Sequence, residues 1–235
     1  LRYMKDGGLP ELINLPDDEV KQRYVAGLRD SIMLKDIVKR YSIKDVGLLE
    51  SLFAYLVNNA SNMISITGIV NFIKSRGNRS TYDTVAAYIM YLQEAFLVHK
   101  SERYNISGKE LLAGNFKLYI NDQAYHNYLF SSVRYGLGYV LENIVYLEFV
   151  RKGYVVNTGV VKGREVDFIA VKDGRTVYAQ VAYSVLDEET AQREYESLEH
   201  VKGEGEKFLI TMDDDLLPMR NGVRHLRAWE LGTEL

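Results

Sequence analysis

From Asp17 to Ala95 the apolar side chains recur at every third and fourth position, whereas from Tyr154 onward they fall into short runs broken by two-residue turns. Recurrence at three and four lines one face of a helix, and short apolar runs between turn residues are strands. This change of period restricts the chain to a mixed α/β architecture. Its 235 residues give room for two small domains, each able to hold a core.

In the first part, Tyr24, Leu28 and Ile32, then Leu34, Ile37 and Val38, then Leu48, Leu49, Leu52, Phe53 and Leu56 carry the helical spacing. Pro16 fits a first helical turn, with Asp17, Asp18 and Glu19 complementing the positive end of the helix dipole. Residues 1–60 therefore read as a helical linker. A second helical pattern covers Ile64–Arg76, and after the turn Gly77-Asn78-Arg79 a third covers Ser80–Ala95, with Ser80 as N-cap and Asp83 three residues on. Phe96–Tyr104 and Phe116–Asn121 read as strands on either side of Ser107-Gly108-Lys109. Helix, helix, strand, turn, strand is winged-helix order, which assigns residues 61–135 to such a module. Ala124–Tyr135 is irregular and rich in aromatics, and the boundary falls before Gly136.

The remainder, 136–235, predicts a helix over Tyr139–Lys152, strands at Tyr154–Val160, Glu165–Val171 and Thr176–Tyr183, a helix over Glu188–Val201, and strands at Lys207–Met212 and Val223–Trp229. Turns fall at Lys162-Gly163 and Asp173-Gly174.

Composition removes several function classes. No apolar run is long enough for a bilayer span, and Tyr139–Val150 is interrupted by Glu142 and Glu148. Without cysteine there are no disulfides or thiolate metal sites, and no signal peptide is visible, which fits the cytoplasm. A net charge of −3 means that any nucleic-acid contact must come from a local basic patch. The four histidines, His99, His126, His200 and His225, lack metal-ligand spacing, and no phosphate-binding P-loop occurs. The chain opens at Leu1 and breaks at Gly7-Gly8-Leu9-Pro10, which reads as the continuation of a preceding piece.

Chemistry concentrates in the last part. Glu142 stands on the first helix, Asp167 in Glu165-Val166-Asp167-Phe168, and Gln180 in Ala179-Gln180-Val181-Ala182. Alternation places Asp167 on one strand face with Glu165 and Ile169, and Gln180 on one face with Ala182. Gathered oxygen donors of this kind bind Mg²⁺ and leave room for water and a phosphate oxygen, which suits phosphodiester hydrolysis. Read singly, each is an ordinary solvated polar residue; their order is what points to a site.

A helix with Glu, a hairpin with Asp and a strand with an acid-or-Gln two residues before Lys resembles the PD-(D/E)xK nuclease superfamily. The resemblance implies that Glu142 and Asp167 are metal ligands and that Gln180 holds the acid-or-Gln position, with Ala182 where the lysine should stand. That lysine orients or activates water and steadies charge on the phosphate, so its loss implies an inactive site. An active nuclease would need a displaced cation, with Lys162, Arg164 and Lys172 as candidates.

More widely, Gly7-Gly8-Leu9-Pro10, Lys35-Asp36-Ile37, Tyr88-Ile89-Met90-Tyr91-Leu92, Leu141-Glu142-Asn143, Glu165-Val166-Asp167-Phe168 and Gln180-Val181 together resemble the C-terminal half of a family of AAA-type ATPases widespread in bacteria and archaea, whose tail is a domain of unknown function. The resemblance implies ATP bound in a preceding N-terminal domain, no cofactor in this segment beyond Mg²⁺, and a non-catalytic accessory role. DNA contact would come from Lys74, Arg76, Arg79, Ser80, Thr81 and Tyr82, where cations and hydroxyls meet a helix N-terminus, extended by Arg103 and Lys109. A third reading is a protein-interaction or self-association module using Tyr119–Tyr135.

Overall fold

The computed structural model describes residues 2–130 and 136–235. Leu1, the end of the Ala124–Tyr135 stretch and the boundary before Gly136 involve residues outside those described.

In chain order the elements are α1 (Arg2–Asp6), a 3₁₀ turn (Pro10–Ile13), α2 (Asp18–Ile32) continuing through a π-helical stretch (Met33–Val38) into α3 (Lys39–Tyr41), α4 (Val46–Asn58), β1 (Met63–Ser65), α5 (Ile66–Ser75), α6 (Tyr82–Glu94), β2 (Val98–Asn105), β3 (Glu110–Ile120), α7 (Gln123–Leu129), α8 (Leu137–Arg151), β4 (Val155–Val161), β5 (Arg164–Lys172), β6 (Arg175–Val181), α9 (Glu188–Glu199), β7 (Glu206–Thr211), β8 (Val223–Arg227), a 3₁₀ turn (Ala228–Glu230) and α10 (Leu231–Glu234). The fold class is mixed α/β.

Caps fix most helix starts: Asp17, Asp45, Ser65, Thr81 and Asp187 accept the N–H of Val20, Leu48, Gly68, Thr84 and Thr190. Two expected starts need correction. Pro16 lies one residue before the Asp17 cap rather than inside the first turn, and α6 is capped by Thr81, one residue beyond Ser80. β1 is an element that helical periodicity conceals, because Met63-Ile64-Ser65 runs directly into α5.

The chain divides into two compact units, one of residues 1–100 and 118–135, the other of 101–117 and 136–235. The segments read as linker and helical pair share the first, while residues 101–117 join the last hundred residues. In the first unit, Gly7 adopts φ +79°, and a Cβ there would stand 1.9 Å from Asp122 Oδ1. Asp122 accepts the N–H of Gly8 and of Ala124, so one buried carboxylate ties the N-terminal turn to the start of α7. Gly7 permits that approach.

In the second unit the hydrogen-bonded strand order is β3-β2-β4-β5-β6-β7-β8. β2 with β4, β6 with β7 and β7 with β8 are parallel; β4 with β5 and β5 with β6 are antiparallel. The antiparallel pairs turn at Lys162-Gly163 (φ 49° and 77°) and Asp173-Gly174 (φ 48° and 80°), the two-residue, doubly left-handed geometry that matches strand twist. On one sheet face Phe168 packs against Tyr146 and Phe149 of α8. On the other, Val166, Ile169, Tyr178 and Leu209 form a core with Tyr195 and Leu198 of α9.

Candidate functional site

Along β5 the register with β4 slips: Gly159 faces Val166 and Asn157 faces Ile169, so Asp167 and Phe168 together oppose Thr158. Such a bulge bends the strand and re-aims a side chain. It corrects the expected alternation. Glu165 and Asp167 reach the same cation, but Ile169 packs with Val166 into the α9-side core. A glycine makes room beneath: a Cβ on Gly159 would lie 2.9 Å from Ile106 Cδ1 and 3.1 Å from Val166 Cβ.

The cation is Lys117, on β3. Its Nζ stands 2.8 Å from Glu142 Oε1, 2.6 Å from Glu165 Oε1 and 3.2 Å from Asp167 Oδ1. The Lys117 side chain is 4% exposed, Glu142 and Asp167 are each 8%, and Glu165 is at the rim at 40%. Burial by itself favours a neutral amine, but the carboxylates of Asp167, Glu142 and Glu165 outweigh it and hold the ammonium's pKa well above the ordinary lysine value.

Asp167 is held from behind. Its Oδ2 accepts the Val181 N–H at 2.9 Å, and its own N–H donates to Gln180 Oε1 at 3.2 Å. Gln180 therefore positions the Asp167 backbone. Ala182 packs in the apolar core with Tyr178, Val185 and Tyr195. Of the three displaced cations considered, Lys162 lies in the β4–β5 turn, Arg164 pairs with Glu196, and Lys172 donates to the Lys152 carbonyl. Lys117 is the residue that pattern reading misses. The signal available is a lone cation in Phe116-Lys117-Leu118-Tyr119-Ile120, all five buried.

Among the described residues no group of three or more His, Cys, Asp or Glu stands in metal-holding geometry. The three carboxylates are arranged about the ammonium instead. The histidines are dispersed: His225, for example, bonds Thr211 Oγ1 and the Leu217 N–H.

The expected DNA contacts from Lys74 to Tyr82 lie in the first unit, and their extension at Arg103 and Lys109 lies in the second. Lys74 and Arg79 are exposed at the end of α5 and in the following turn. The Arg76 guanidinium carbon sits 4.7 Å over the Phe72 ring. Ser80 is half-buried, Thr81 is the α6 cap, and Tyr82 is exposed. No helix among the described residues is long and apolar enough to cross a membrane.

Residues 1–134 match the family model described as a domain of unknown function (DUF8612). An uncharacterized protein of Haemophilus influenzae is 34% identical over 209 residues, covering 89% of this chain and 51% of that protein. An uncharacterized protein of Methanocaldococcus jannaschii is 29% identical over 201 residues, covering 84% and 44%. The chain thus spans about half the length of the curated relatives it matches. Among solved structures, protein VC1899 from Vibrio cholerae aligns with 97% of this chain and 56% of its own at 14% identity and a TM-score of 0.27, too low to bear on the fold.

Proposed function

This chain belongs to the family described as a domain of unknown function (DUF8612), and we propose that it is a nucleic-acid-handling segment whose second unit holds a Mg²⁺-dependent phosphodiester-cleaving site. One observation carries the reading: a buried lysine ammonium lies within 3.2 Å of both Glu142 and Asp167. The expectation of an inactive site rests on Ala182 alone, and Lys117 offers the missing amine from another strand.

The acids group about the ammonium rather than in metal-holding geometry, but carboxylate oxygen is the donor type that a hard divalent cation takes. Three carboxylate oxygens surround one cationic nitrogen, one positive group faces three acids, and Mg²⁺ takes oxygen donors with water completing its shell. Glu142 and Asp167 would hold it. When bound, the ion would polarise a phosphoryl oxygen and lower the pKa of its water. The chain's own residues do the rest. Val181 and Gln180 keep Asp167 in one orientation. Lys117 supplies positive charge where a pentavalent phosphate gathers negative charge, in a largely water-excluded place where such charge acts strongly.

The first unit fits the same task. Its α5 and α6 follow one another across a short turn, with exposed Lys74 and Arg79 free to meet phosphate beside the α6 N-terminus. Arg76, lying over Phe72, is a weaker candidate. The resemblance to the tail of AAA-type ATPases further supports a cytoplasmic accessory role beside an ATP-binding domain.

The test is incubation of the chain with labelled single- and double-stranded DNA in Mg²⁺ or in EDTA. We expect Mg²⁺-dependent cleavage, reduced at least ~100-fold by Asp167→Asn and by Lys117→Gln while circular dichroism stays native. A wild-type chain that cleaves neither DNA at any Mg²⁺ concentration would sink the reading.

A further inference from the structure

We infer that Arg103 binds a backbone phosphate of the nucleic acid beside this site, an inference that rests on the cleavage reading above. Arg103 lies on β2 with its Cα partner Thr158 on β4, and Thr158 faces the doubled Asp167-Phe168 of β5. Residues two apart on a strand share a face. Ser101 Oγ, two positions before Arg103, lies 3.1 Å from Thr158 Oγ1, while Tyr104 and Ile106 pack on the α9 side. Arg103, Thr158 and Asp167 therefore form a row across three neighbouring strands, on the face away from α9. With strands about 4.8 Å apart, Arg103 starts roughly 10 Å from the Asp167 strand. A long side chain and a phosphate anion span such a gap.

The electrostatics of the unit single this arginine out. Arg151, Arg164, Arg175, Arg193, Arg220, Arg224 and Arg227 each have a carboxylate at ion-pair distance. The Arg103 side chain makes no hydrogen bond or ion pair among the described residues, and its Nε is buried without a partner. A buried guanidinium N–H left unpaired is costly, and the group's planar fork matches two phosphate oxygens. The polar atom is held ready for an anion from outside the protein. Two strands from Asp167, the anion that fits is a phosphate of the bound strand.

The experiment compares wild type, Arg103→Gln and Arg103→Lys in two assays. In Mg²⁺, at DNA concentrations below saturation, we expect cleavage by Arg103→Gln to fall about 10- to 100-fold, with Arg103→Lys between the two and the Mg²⁺ concentration for half-maximal rate unchanged. In Ca²⁺, binding of a labelled DNA duplex is followed across a salt series, and Arg103→Gln is expected to lower the salt slope by about one. If wild type does not cleave, the cleavage reading fails, and the binding assay alone decides for or against Arg103. Cleavage or, failing that, binding by Arg103→Gln within twofold of wild type at all salt concentrations overturns the inference. If Arg103→Gln unfolds, Arg103→Lys decides in the same assays: weaker than wild type supports the inference, and equality overturns it.

Discussion

A lysine only 4% exposed can stay charged only where anions replace its water, and three carboxylates do so for Lys117. Removing it would strand Glu142 and Asp167 as buried acids, a cost of about 3–5 kcal/mol by analogy with other buried pairs. The same logic bears on Ala182. Restoring a lysine at that position would complete the nuclease pattern, but Ala182 packs in the apolar cluster of Tyr178, Val185 and Tyr195. Ala182→Lys is therefore expected to destabilise the chain by several kcal/mol without raising cleavage, because it buries an unpaired charge in a filled core. Urea unfolding checks this, and an Ala182→Lys chain as stable as wild type and more active would contradict it. Glu142, Asp167 and Gln180 were legible in the sequence, since their order along helix, hairpin and strand is itself a pattern. Lys117 was not, since it stands 25 residues before Glu142 in a strand that reads as part of another module.

At the scale of elements, turns and caps were the most legible. Lys162-Gly163 and Asp173-Gly174 dictate tight hairpins, and acidic or hydroxyl caps begin the helices. The β5 bulge was not legible, because nothing in Glu165–Val171 announces an extra residue and the register forms only against β4. β7 and β8 carry a pH response. The Leu217 N–H donates to His225 Nδ1, so Nε2 bears the hydrogen facing Thr211 Oγ1. Burial first, with Arg227 adding and Asp213 opposing, lowers the His225 pKa below the ordinary imidazole value. Below about pH 6.5 the unfolded chain takes up a proton that the folded site resists. The stability His225 contributes is thus complete above about pH 6.5 and declines as pH falls toward its depressed folded pKa. Wild type should lose more unfolding free energy than His225→Gln between about pH 7.5 and 5.5 in urea titrations. Equal losses would contradict the assignment.

At the scale of the whole molecule, the mixed α/β class follows from the change of hydrophobic period, but the grouping of segments does not. Residues 101–117 belong with the last hundred residues because β2 pairs in parallel with β4, a long-range contact that local periodicity does not encode. The family match ends at residue 134, so it covers the strand that carries Lys117 but not Glu142 or Asp167. That the three act as one site is the central claim, and a double-mutant cycle tests it most directly: single-turnover DNA cleavage in Mg²⁺ by wild type, Lys117→Gln, Asp167→Asn and the double variant. Residues that act as a unit give strongly non-additive losses, so the double variant should be no slower than about the slower single. Losses that multiply, as for two independent residues, would contradict the account.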